Sequence, residues 1–184
     1  TGHANLCERA QKKPVREGLL IGPGGLCDYV IVNTGYLFKI PDTLSYEEAS
    51  LTEPLACVVH SVTKANIQLG EDVVVIGGGI MGQYHVMLAK RRGARVIMSE
   101  VDESRRDLAR KLGADITFNP MEKDPVEYVK SLTEGRGADV VFNTTAIPSV
   151  VPQAIAMTGK AGRMIQYSSM PVSYTHLTLP TILR

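Results

Sequence analysis

Gly77, Gly79 and Gly82 follow directly on the β-branched run Val73-Val74-Val75-Ile76, at the spacing Gly-x-Gly-x-x-Gly. Glycines so placed can hold a diphosphate. Gly77 permits a sharp turn off a strand, Gly79 lacks the Cβ that would keep a pyrophosphate off the backbone, and Gly82 lets the next helix pack closely on the strand. That helix, marked by Met81, Tyr84, His85, Met87 and Leu88, would offer the N–H groups of Ile80 and Met81 and its positive dipole end to the phosphates. The spacing by itself also occurs in other tight strand-to-helix turns and in methyltransferases. A second β-rich run, Arg95-Val96-Ile97-Met98-Ser99, ends in Glu100, 18 residues after Gly82. In a dinucleotide fold an acid at the tip of the second strand accepts hydrogen bonds from the adenosine ribose hydroxyls. It would also repel the 2′-phosphate of NADP, so the pair of signals favours NAD. The alternative is a plain surface acid at a strand end.

The elements that must hold these residues alternate strictly from Asp72 onward. Strands are predicted at 73–76, 95–99, 115–118, 139–143 and 163–167, and helices at 80–92, 103–112, 124–133 and 148–157. Gly113, Gly135 and Gly159 close the last three helices. The strands are near-continuous apolar runs, as expected where helices cover both faces of a parallel sheet, and right-handed crossovers would make that sheet doubly wound. Helix 103–112 is expected to turn Leu108 and Leu112 inward and to leave Arg105, Arg106, Arg110 and Lys111 outside. Upstream, residues 1–17 read as irregular and Gly22-Pro23-Gly24-Gly25 as a turn. Asp28–Val32 and Tyr36–Ile40 read as strands. Ser45 with Glu48 has the pattern of a capping box opening a helix to about Leu51. Pro54 suits the first turn of a second helix, Leu55 to Ala65, ended by Asn66 and Gly70.

Composition narrows the class. The chain has 184 residues, 44% hydrophobic and 21% charged, with a net charge of +1, which suits a globular protein and gives no electrostatic case for nucleic acid or an anionic membrane. No apolar run is long enough for a transmembrane helix, and no secretory pattern opens the chain. Three scattered cysteines, Cys7, Cys27 and Cys57, do not form a disulfide framework, so a cytoplasmic location is expected. The chain opens at Thr1 without a Met and reads as an internal piece. Residues 172–184, beginning Val172-Ser173-Tyr174-Thr175-His176-Leu177, look like the in-frame translation of an adapter from DNA-sequencing libraries and are set aside as a non-native scar; the alternative is a genuine strand-rich tail.

Taken together, Asn5-Leu6-Cys7, Asp28-Tyr29-Val30, Lys39-Ile40-Pro41-Asp42, Glu53-Pro54-Leu55-Ala56-Cys57, Gly77–Gly82 and Gly135-Arg136-Gly137-Ala138-Asp139-Val140-Val141 resemble the zinc-dependent medium-chain dehydrogenases, in particular the polyol (sorbitol or iditol) dehydrogenase branch. The resemblance runs from about Gly2 to Ser169. It implies an α/β fold: a Rossmann doubly wound parallel sheet, truncated after strand 5, preceded by the tail of a GroES-like β-rich catalytic domain. Residues 1–50 would be that tail, and 51–171 an incomplete NAD-binding domain.

The resemblance also implies a chemistry. In the family a catalytic zinc binds the substrate alcohol oxygen and lowers its pKa, so that the alkoxide can release hydride to the nicotinamide. Of the family's zinc ligands only the Glu of the Glu-Pro-Leu motif is present, as Glu53, acting directly or through water; on its residues alone Glu53 is equally an acid favoured by a helix N-terminus. Cys7 resembles the fourth cysteine of the family's structural zinc lobe, or is a leftover cysteine. Cys27 and Cys57 read as small buried residues, and His60, seven residues after Glu53, as a packing or hydrogen-bonding residue, the alternative being one that approaches the substrate. Arg105 would contact adenine or ribose, or is a solvated arginine. Thr144 and Thr145 lie at the carboxyl edge of the fourth strand, where ligands bind in open α/β sheets. Ala146, Ser168 and Ser169 stand where the family often has Gly. The implied reaction is NAD- and zinc-dependent oxidation of a secondary alcohol of a polyol or sugar-like substrate to a ketone, by a parent protein that is a homo-oligomer (dimer or tetramer), with this chain itself inactive. The alternatives are a zinc-free quinone or enoyl reductase, against which Glu53 and Glu100 both speak, and a non-enzymatic NAD-binding module.

Overall fold

The computed structural model describes residues 28–29 and 34–169. The chain divides into two units, Thr1–Ser45 and Tyr46–Arg184. In the first, the described residues form a single 3₁₀ turn, Thr34–Tyr36, and a turn closed by the Leu44 amide on the Pro41 carbonyl at 3.0 Å. The strand expected over Tyr36–Ile40 is not formed. A strand exists only where a neighbour takes up its N–H and C=O groups, and no described strand pairs with this segment. Asp28 is a bend, and residues 30–32 of the other expected strand lie outside the described residues, as do residues 1–17 and 172–184.

The second unit has the expected alternation. Helices α1 (Tyr46–Ala49) and α2 (Thr52–Ala65) lead into β1 (Asp72–Ile76), α3 (Ile80–Arg91), β2 (Arg95–Ser99), α4 (Glu103–Lys111), β3 (Ile116–Phe118), α5 (Pro125–Leu132), β4 (Ala138–Asn143), α6 (Val150–Met157) and β5 (Thr158–Gln166). The strands form one parallel sheet in the order β3-β2-β1-β4-β5. The β-branched runs have a direct explanation in the two cores. Val73, Val75, Val96, Met98, Val140 and Phe142 pack with Val58 and Val62 of α2 and Val86 and Ala89 of α3. Their neighbours Val74, Ile76, Ile97 and Val141 face the other way, onto Val129 of α5 and Ala154 and Met157 of α6. Successive strand residues point to opposite faces, so a strand covered on both sides must be apolar throughout.

Two details differ from expectation. On α4 Leu108 is 46% exposed, whereas Arg106 is only 7% exposed, beside buried Ala109. The Arg106 guanidinium turns inward because carbonyl oxygens await it there: its Nη1 donates to Glu100 O at 2.6 Å and Val101 O at 2.8 Å. A buried cation is tolerated when its donors are taken. Strand β5 also starts earlier than expected, at Thr158, and reaches register with β4 through an irregularity between the Ala138–Thr158 and Val140–Arg163 pairs.

Sheet order places the site. Strand β1 lies between β2 and β4, so the chain leaves it in one direction first and the other afterwards. Open α/β sheets bind ligands in the crevice beyond the carboxyl ends at such a reversal.

Candidate coenzyme site

A cleft of about 690 Å³ opens at that reversal, lined by Gly77–Gly82, Glu100, Arg105, Thr144 and Thr145, with Met121, Ile147 and Val150 on its apolar side. Every residue expected to hold the coenzyme therefore meets in one concavity of the size that suits a small-molecule ligand.

The glycine turn is built as its spacing demands. Gly77 has φ +94°, and a Cβ there would meet Thr144 Oγ1 and Thr145 Cγ2, each at 2.8 Å. At Gly82 a Cβ would stand 1.8 Å from the Gly77 carbonyl oxygen, so α3 presses directly onto the turn. At Gly79 it would meet nothing within 4 Å. Gly79 is the residue that starts α3, and no side chain caps that helix. The amides of Ile80 and Met81, in the first turn of α3, have no acceptor within the helix and sit at its positive end. Room, donors and charge fit a diphosphate.

Glu100 is 6% exposed and is fixed at both carboxylate oxygens. Oε2 accepts the Gly78 N–H at 2.5 Å, and Oε1 accepts the Asp102 N–H at 2.9 Å. The acid at the end of β2 is thereby tied to the turn after β1, with adjacent parallel strands joining them from Asp72–Arg95 to Ile76–Ser99. Arg105 lies one turn into α4 with its backbone N–H on the Asp102 carboxylate at 3.0 Å, and its side chain is exposed along the cleft. The hydroxyls of Thr144 and Thr145 are engaged within the protein. Thr144 Oγ1 donates to the Ile76 carbonyl at 2.8 Å, and Thr145 Oγ1 to Asn143 Oδ1 at 2.8 Å. Thr144 ties the end of β4 to that of β1, Thr145 is held by Asn143 of β4, and both line the cleft.

Glu53 is exposed in the first turn of α2 and accepts a hydrogen bond from the Cys57 thiol at 3.3 Å. Cys57, expected to be buried, is exposed. Its thiol is held above the ordinary range by that bond, with burial and the Glu53 charge adding. Burial, then the charges of Cys57 and Glu53, likewise raise the Tyr167 phenol. Tyr167 donates to Met81 Sδ at 3.4 Å. The α2 acid is therefore electrostatically within reach of a side chain that touches the glycine turn. His60 is exposed on the same helix. Glu53 and Cys57 are two donors where zinc takes four, and no group of three or more His, Cys, Asp or Glu gathers among the described residues. Those residues do not make a metal centre by themselves. Cys7 and Cys27 lie outside the described residues.

Several participants escaped the sequence reading. Gly78 fills a variable position of the fingerprint, yet a Cβ there would come within 2.9 Å of Glu100 Cγ; the only signal was the unbroken run of three glycines. Arg106 and Tyr167 gave no signal in apolar periodicity. Gln83 could have been noticed as a polar residue three positions before buried Val86 on the inward stripe of α3.

The profile described as zinc-binding dehydrogenase matches residues 81–184. The chain is 34% identical over 171 residues to D-arabitol-phosphate dehydrogenase of Enterococcus avium, which covers 90% of this chain and 49% of that protein. It is 32% identical over 167 residues to sorbitol dehydrogenase of Bacillus subtilis, covering 89% and 45%. A protein of Sinorhizobium meliloti 1021 assigned as a zinc-binding dehydrogenase, solved with NADP bound, superposes with a TM-score of 0.70 at 33% identity, over 73% of this chain and 40% of that one. The chain thus spans about half the length of the curated relatives it matches. With the parallel sheet, the glycine turn and this profile in agreement, the chain belongs to the zinc-binding dehydrogenase family.

Proposed function

We propose that this chain carries the coenzyme-binding part of an NAD-dependent, zinc-dependent dehydrogenase that oxidises a secondary alcohol of a polyol or sugar-like substrate to a ketone by hydride transfer. The observation that carries the reading is the Gly78–Glu100 link. It brings a carboxylate to the place where an adenosine ribose would lie when its diphosphate rests on the amides of Ile80 and Met81. A carboxylate there accepts hydrogen bonds from the 2′- and 3′-hydroxyls and repels a 2′-phosphate. Arg105 takes the outer face of the adenosine, and Thr144 and Thr145 border the nicotinamide half.

We assign Glu53 to the catalytic zinc of the whole protein, directly or through a water, and Cys7 to a structural zinc. Likeness to the arabitol-phosphate and sorbitol dehydrogenases supports a polyol substrate. We assign the parent protein to the cytoplasm, as a dimer or tetramer. No helix among the described residues is long and apolar enough to cross a membrane.

Calorimetric titration of the chain with NAD and with NADP tests the coenzyme reading. Tighter binding of NAD is expected. Equal or tighter binding of NADP contradicts the role given to Glu100, and no binding of either at millimolar concentration contradicts the site. The whole protein, purified with zinc, is expected to form NADH from sorbitol or a related polyol, and the 184-residue chain to form none.

A further inference from the structure

Gln83 lies in the first turn of α3 and is 6% exposed. Its amide nitrogen donates twice, to the Gly78 carbonyl at 3.0 Å and to the Arg105 carbonyl at 2.9 Å. Gly78 is therefore gripped from both sides, its N–H by Glu100 and its C=O by Gln83. Through the same amide the glycine turn is strapped to the start of α4. The three segments meet closely: a Cβ on Gly78 would stand 2.9 Å from Glu100 Cγ and 3.2 Å from Arg105 Cβ.

The orientation of the Gln83 amide follows from its partners. Two carbonyl oxygens accept from it, and turning the amide over would set its own oxygen against both. In the orientation found, Oε1 is buried with no hydrogen-bond partner. An orphaned buried acceptor costs stability, which offsets much of what the two donated bonds contribute. An unbranched apolar side chain would fill the position without that cost. What the amide does, and an apolar chain cannot, is hold two loops in register.

We propose that Gln83 is a positioning residue for coenzyme selection: by tying Gly78 to Arg105 it fixes the Glu100 carboxylate and the Arg105 side chain relative to the diphosphate turn, and so sets the preference for a ribose 2′-hydroxyl over a 2′-phosphate. This rests on the coenzyme reading above. Without the strap, the turn and the start of α4 move independently. The carboxylate then loses its alignment with the ribose hydroxyls, and its repulsion of a 2′-phosphate weakens.

The test is the dissociation constant of NAD and of NADP, by calorimetry on the 184-residue chain, for wild type and Gln83→Met, with the melting temperature of each. The expected result is about tenfold weaker NAD binding, the scale of losing two buried hydrogen bonds, with NADP binding unchanged or tighter and the melting temperature within about 5 °C. A purely structural role would weaken both coenzymes together. An unchanged NAD-to-NADP ratio in Gln83→Met, with wild type preferring NAD, overturns the inference alone. A wild type that binds neither coenzyme overturns the site reading and the inference with it. Should Gln83→Met not fold, Gln83→Leu takes its place, and failure of both to fold shows a structural residue and overturns the proposal.

Discussion

Two glycines of the turn do different work, and substitution separates them. An alanine at Gly82 would put its methyl group 1.8 Å from the Gly77 carbonyl oxygen, an overlap that only displacement of α3 relieves. Gly82→Ala is expected to destabilise the chain by about 3 kcal/mol. At Gly79 the backbone is ordinary, with φ −67°, and a methyl group meets nothing. Gly79→Ala is expected to cost about 1 kcal/mol, as for other helix-start substitutions to alanine, while weakening NAD binding about tenfold or more, because the methyl would fill the space proposed for the diphosphate. Urea unfolding and calorimetry on the same two variants check this; a Gly79→Ala chain with full NAD affinity would remove the phosphate from this turn. The spacing, read with the acid at the end of the second β-rich run, singled out these glycines, because a turn pressed this closely onto a helix leaves little choice of residue at Gly82. Gly78 was not legible: its constraint comes from Glu100, which the sequence places 22 residues away.

Among the elements, the α2–α3 seam carries a buried histidine. His85 Nδ1 lies 2.8 Å from the Met81 carbonyl oxygen and Nε2 lies 2.9 Å from Ser61 Oγ. A carbonyl only accepts, so Nδ1 bears the proton and the Ser61 hydroxyl donates to Nε2. The ring packs 4.5 Å from Phe142 and 4.8 Å from Tyr167, centroid to centroid. Burial pushes its pKa down to about 4, the Met81 carbonyl opposing. In the unfolded chain the value is about 6.5. As pH falls below 6.5 the unfolded chain takes up the proton first, so stability is full above pH 6.5 and is lost progressively towards pH 4, by about 3 kcal/mol in all. Urea midpoints between pH 7.5 and 4.5 are expected to fall in wild type and to stay nearly level in His85→Gln, apart from what carboxylates add at the acid end; equal slopes would place the proton uptake elsewhere. The helical stripe containing His85 was legible from the sequence, but its role as a neutral, hydrogen-bonded core residue was not. The same holds for α4, where Leu112 packs on the core and Arg105, Arg110 and Lys111 lie outside as expected, but Leu108 and Arg106 exchange places. Arg106 is inside for the sake of two carbonyls at the end of β2, and apolar periodicity does not register a buried guanidinium.

For the whole molecule, the parallel sheet and its alternation were legible because both faces of every central strand are covered, which leaves an apolar run no ordinary loop has. The segment before Tyr46 was less so, since its expected strand depended on a neighbour that local sequence cannot supply. The second unit holds a cleft lined by the glycine turn and Glu100, and Glu53 stands in the same unit with Cys57 at its side, no group of three or more His, Cys, Asp or Glu gathering among the described residues. Removing zinc with a chelator is accordingly expected to leave the NAD affinity of this chain unchanged, as titration with and without the chelator would show; a large drop would mean that metal organises the cleft.

The most direct measurement is the amide NMR spectrum of the isotope-labelled chain as NAD is added. The largest shifts are predicted at Gly78–Gly82 and at residues 100–105, the two ends of one βαβ unit. Shifts confined to other strand ends, or none at saturating NAD, would contradict a coenzyme lying across the glycine turn with its ribose on Glu100.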